Sequence, residues 1–192
     1  MTIQSNNSAP RFMRSVLTGA VGFGCASLSV FATVAFGERW MYTHLTPTGA
    51  YLTWIALFIL LGGGVLGSLV VGRWRLPRFY LLFALAFFLY AVGWVAAYFT
   101  LHGTLGEWVG SLAGSILMAL VFAVGFGVRS STLKLSTVLF VANSLGYFLG
   151  SGINEYLRGR TGMLLWGVVY GFFLGAGIAA VLRMSQTADD TL

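Results

Sequence analysis

The chain has 192 residues, 58% of them hydrophobic and 8% charged, and a formal net charge of +6. Ordinary soluble domains run about 45–50% apolar and about 25% charged. This chain has too few charges to cover a water-facing surface, which excludes a soluble enzyme, a nucleic-acid-binding domain and a disordered tail. Its basic residues are dispersed at the ends of apolar runs, where membrane orientation is set, so no nucleic-acid partner is expected.

In chain order, a polar N-terminal tail over 1–11 comes first. Arg11 and Arg14 then lead into an apolar run that lasts to Gly37. That run exceeds the about 7–15 residues of a cleavable signal core, so it reads as a retained first span. Cys25, the single cysteine, lies inside it and excludes an intrachain disulfide; Gly22-Phe23-Gly24 before it is a poor lipid-attachment signal. Crossing the hydrocarbon core takes about 20 mostly apolar residues. Six runs qualify, over 12–37, 49–72, 76–100, 106–128, 133–157 and 161–183, and a polar tail follows over 184–192. The runs are apolar throughout rather than alternating, which selects helices over a membrane barrel. The predicted fold is all-α: a polytopic membrane bundle of six transmembrane helices, filling 12–183 as one domain.

Short links make consecutive helices antiparallel. One side then holds Arg11, Arg14, Arg73, Arg75, Arg78, Arg129, Lys134 and Arg183, and the other only Arg39, Arg158 and Arg160. The side richer in Lys and Arg is cytoplasmic, which places both termini there. Trp40, Trp54, Trp94, Trp108 and Trp166 all fall toward the outer ends of their spans, where an interfacial belt is expected. The expected location is a cell membrane, the inner membrane of a bacterium.

Small residues permit close approach of helices in lipid. They recur every four positions as Gly167, Gly171 and Gly175, as Gly106, Gly110 and Gly114, and as Gly146 and Gly150. These ladders suit packing within one chain, or a seam with a second copy or other membrane subunits. Gly62, Gly63 and Gly64 stand together in mid-span, as a helix break lining a cavity or as a close crossing. An echo between 37–39 and 127–129 is compatible with two inverted three-helix halves.

Chemistry-bearing residues are scarce. His44 and His102 lie in outer links, Glu38, Glu107 and Glu155 near outer helix ends, and no span carries aspartate. No metal, no cofactor and no enzymatic activity are expected, because catalysis needs convergent titratable groups. The fifth span is the exception: Ser136, Asn143, Tyr147, Ser151 and Asn154 form a polar stripe. An amide in a membrane helix must find partners away from lipid. The stripe reads as a cavity wall or as interhelical hydrogen bonding. Tyr90 and Trp94, with Tyr98, form a candidate second wall on span three.

The functional expectation is a small membrane protein that binds or transports an uncharged or partly apolar small molecule or lipid. Its expected partners are membrane lipids. The alternatives are a non-catalytic subunit of a respiratory or photosynthetic complex, and an intramembrane lipid-modifying enzyme.

Overall fold

The computed structural model describes residues 8–70 and 75–187. It is helical, with five helices long and apolar enough to cross a membrane among the described residues. Helix α1 (Ser8–Leu57) passes through a π-helical turn (Phe58–Gly62) into the short α2 (Gly63–Gly67). Then come α3 (Arg75–Leu101), α4 (Gly103–Gly125), a 3-10 turn (Arg129–Ser131), α5 (Thr132–Leu157) and α6 (Gly159–Thr187).

The polar link expected over 38–47 is not a loop. Residues 38–45 continue the helix, and the link contracts to Thr46, at φ 60° and ψ 164°. Pro47 accounts for its position: proline drives the preceding residue out of the helical region and is itself suited to begin the next helix. The chain doubles back there. Phe31 meets Phe58, while Phe23 lies where a Cβ on Gly62 would point and Val65 where one on Gly22 would. The arms 8–45 and 47–67 of this first hairpin are therefore antiparallel. Other helix ends also extend past the sequence-based spans, α1 beginning at Ser8 and α6 running to Thr187.

His102 (φ 56°, ψ 161°) and Arg158 (φ 51°, ψ 167°) repeat the Thr46 conformation. The three reversals fall at equal intervals along the chain, and each follows a leucine: Leu45, Leu101 and Leu157. The described residues thus form three consecutive helical hairpins, and the other half of the echo, between the basic turn 72–75 and 158–160, lies partly outside the described residues. In the 37–39 and 127–129 echo, Gly37 lies inside α1 whereas Gly127 is a turn residue at φ 74°.

The hairpins close into a ring. The first arm packs on α6, α6 on α5, α5 on α4, α4 on α3, and α3 on the π turn and α2. Glycine makes these approaches possible, and within this chain. A Cβ on Gly167, Gly171 or Gly175 would strike Phe31, Ser27 or Gly19 of the first arm. Gly106, Gly110 and Gly114 of α4 lie under Tyr98, Trp94 and Tyr90 of α3. Gly146 and Gly150 of α5 lie against Tyr170 and Trp166 of α6. The second hairpin carries its aromatic knobs on the earlier helix and the third on the later one.

The chain stays helical through Gly62 and Gly63, with Gly62 the last residue of the π turn. Gly62 (φ −66°, ψ −40°) and Gly63 (φ −62°, ψ −38°) are helical. They are a close crossing: a Cβ on Gly62 would enter the Phe23 ring, and one on Gly63 the Tyr80 ring. The irregularity is the π turn that ends at Gly62, whose Leu60 carbonyl accepts a hydrogen bond from the Tyr80 hydroxyl at 2.9 Å. π turns disturb the regular backbone ladder, and a side chain from the neighbouring helix here supplies a partner.

Candidate functional site

Two features merit weighing as sites: a polar layer inside the ring and a groove on its flank.

The layer forms because four helices each contribute one or two polar side chains at one level. Asn143 is fully buried on α5. Its Oδ1 accepts from the Tyr90 hydroxyl of α3 at 2.8 Å, and its Nδ2 donates to Ser111 Oγ of α4 at 2.8 Å. Tyr90 also shares a hydrogen bond with the Tyr170 hydroxyl of α6 at 3.0 Å, and Ser111 with Ser144 at 2.8 Å. Both ends of the amide are thus engaged by the chain itself. In apolar surroundings such a closed network specifies which helices adjoin, because an orphaned amide there is costly.

One turn outward, Tyr147 donates to Glu107 Oε1 at 3.1 Å. Its ring packs against Trp94 and Trp166, with centroids 5.6 and 5.8 Å away. The structure therefore brings together Tyr90 with Asn143, and Trp94 with Tyr147, as the two-wall expectation required. The Tyr147 ring and the Tyr90–Asn143 bond lie between those walls, and the Trp94 and Trp166 indole N–H groups beside Tyr147 are buried without a partner among the described residues. Ser151 is half-buried beyond them, and Asn154 packs over Gly162 near the end of the third hairpin. Trp54 is buried and Trp94 and Trp166 are half-buried against neighbouring rings, whereas Trp40 and Trp108 are exposed. Glu38 and Glu155 are exposed, as are His44, stacked on Trp40, and His102 at its reversal. Among the described residues no three His, Cys, Asp or Glu side chains gather as a metal-binding group.

A groove of about 550 Å³ runs between the arms of the first hairpin, lined by Ala32, Phe36, Gly37 and Trp40 on one arm and Thr53 and Leu57 on the other. Its walls are almost wholly apolar, and it opens sideways: Phe36 is 62% and Trp40 60% exposed. Gly37 keeps it open, since a Cβ there would meet nothing within 4 Å. None of the sequence-predicted site residues lines it. The signal that marks it is the pattern of small residues between aromatics on the arm (Ala32, Gly37; Phe36, Trp40), which becomes visible only once 38–45 is known to be helical.

Comparison with protein-family models, curated proteins and solved structures finds no match to this chain.

Proposed function

We propose that this chain crosses the bilayer six times, with both termini cytoplasmic, and binds a lipid or another partly apolar membrane-dissolved molecule in the groove of the first hairpin. The observation that carries the reading is the groove itself. Its volume lies within the range of about 300–1,000 Å³ common to small-molecule sites. It is apolar and lies at the end of the bundle that carries the reversals, where 38–45 extends past the start of α6. The six passes are supported by the fold-back at Thr46, and the orientation by the excess of Lys and Arg away from the three hairpin reversals.

The test is Gly37→Phe, which fills the groove from a position where a side chain meets no neighbour. Helix propensity favours the change, so the fold should survive. Native mass spectrometry of the detergent-extracted protein should show retained lipid falling at least about tenfold, the scale on which pocket occupancy discriminates. Undiminished lipid on a folded variant contradicts the reading. Stoichiometric co-extraction of another membrane protein, with no retained lipid, replaces it with that of a structural subunit.

A further inference from the structure

We infer that the half-buried carboxylate of Glu107 anchors a second site, which takes a small organic ammonium ion from the side of the hairpin reversals. The site is separate from the groove and does not depend on it. Glu107 sits one turn inside α4, and its Oε1 accepts from the Tyr147 hydroxyl at 3.1 Å. That donor is neutral, so the negative charge is left without a counter-charge, and an ionisable side chain in an apolar helix calls for one. The arginines of this end are placed elsewhere. Arg39 is exposed, Arg158 is exposed at its reversal, and Arg160 lies over the Phe36 ring. Unlike the Asn143 network, this level is not closed by the chain itself. Trp94 of α3 and Trp166 of α6 pack on the Tyr147 ring, yet their indole N–H groups are buried without a partner among the described residues.

The surroundings decide which cation fits. Beside Glu107 stand aromatic rings rather than oxygen ligands: Tyr147 lies 5.6 Å from Trp94, which is stacked on Tyr98 at 5.1 Å. Calcium and magnesium ions need about six oxygen ligands, which this lining does not offer. Ring faces instead attract an organic ammonium group, more strongly as it leaves water, and the carboxylate supplies the opposite charge. An oxygen carried beside that ammonium group gives an indole N–H an acceptor. Access follows from α5. Tyr147, Ser151 and Asn154 stand four and three residues apart, so they share a face that runs from Glu107 toward the third reversal. Glu107 is level with Tyr147, and extending that register by one turn sets Gly103, at the start of α4, level with Ser151. The polar stripe therefore rises past the second reversal. Glu107, Trp94, Tyr98, Tyr147 and Ser151 are each half-buried, so part of every one of these side chains is left uncovered.

An ammonium group reaches this side either in a free solute or on a lipid headgroup, and the experiment separates the two. The full chain is reconstituted in nanodiscs of phosphatidylglycerol, which carries no ammonium group, and titrated with radiolabelled choline in equilibrium dialysis against empty discs. The wild type should bind choline saturably. The uncharged isostere 3,3-dimethylbutanol should compete at least about tenfold less well than unlabelled choline. Glu107→Gln, which keeps an acceptor for Tyr147, should weaken choline binding at least about tenfold, and Trp94→Leu about fivefold. Glu155→Gln, which removes an exposed carboxylate at the same end, should bind as the wild type does, and thermal unfolding should show Glu107→Gln and Glu155→Gln folded. Choline binding that weakens in discs of phosphatidylcholine assigns the site to the headgroup, and binding that is unchanged there assigns it to a free solute. No saturable choline binding by the wild type in phosphatidylglycerol overturns the inference. Equal competition by the isostere, or undiminished binding by folded Glu107→Gln, overturns it as well.

Discussion

At the scale of single residues, Asn143 separates two roles that one side chain can play in a membrane helix. Its amide joins α3, α4 and α5 through Tyr90 and Ser111. Asn143→Leu removes both bonds, leaves Tyr90 only Tyr170 and Ser111 only Ser144, and should destabilise the bundle by about 1–2 kcal/mol. The check is thermal or denaturant unfolding in detergent. Lipid retention by Asn143→Leu at a temperature where it is folded should match the wild type, since the residue is remote from the groove lining. That Asn143 matters was legible from sequence, because an amide in an apolar run must have a partner. Its partner Tyr90 was marked as a candidate second wall, but Ser111 was not marked, since it lies on another helix and no spacing rule links it to Asn143. Arg160 was equally opaque: in the sequence it is a basic turn residue, and only the packing of α6 on the first arm sets it over Phe36.

The helices and their reversals show how local chemistry and packing divide the work. Six apolar runs and their approximate centres could be read from composition. The polar run 38–45 could not be assigned by polarity, because a helix that extends beyond the apolar core carries the same residues as a loop. Thr46-Pro47 was the informative pair, and His102-Gly103 and Arg158-Gly159 its counterparts, where glycine accepts the positive φ that closes the turn. Gly175 faces the backbone of Gly19, which has no side chain to move aside. Gly175→Leu should therefore cost about 2–3 kcal/mol, or prevent folding, while Gly37→Ala should be neutral or stabilising in the same unfolding assay. At the π turn, Tyr80→Phe removes the hydroxyl that satisfies Leu60. It should cost about 1 kcal/mol and speed hydrogen exchange over 58–62 relative to 47–57, measured by mass spectrometry.

For the whole molecule, the repeated reversal sets Arg39, Arg158 and Arg160 at one end and Arg11, Arg14, Arg78, Arg129, Lys134 and Arg183 toward the other. The Arg78 guanidinium donates to the Gly125 carbonyl at 3.1 Å, satisfying an exposed carbonyl at the α4 C-terminus as well as marking the basic end. In a variant lacking Cys25, His102→Cys should react with a membrane-impermeant maleimide in intact cells, and Lys134→Cys only after permeabilisation. Labelling of both in intact cells, or the reverse pattern, contradicts the proposed orientation. The regular hairpin interval escaped the sequence reading because the three units share conformation more than residues: glycine and aromatic knobs exchange helices between the second and third. The groove follows from the same geometry, since the first hairpin has glycine at position 37 facing open space. Its occupancy is tested most directly by photocrosslinking. The protein is reconstituted with a phosphatidylglycerol bearing a photoreactive acyl chain, irradiated, and mapped by peptide mass spectrometry. The account predicts labelling concentrated on residues 32–45 and 53–57 and suppressed by Gly37→Phe; labelling spread evenly around the lipid-facing helices, or unaffected by that substitution, contradicts it.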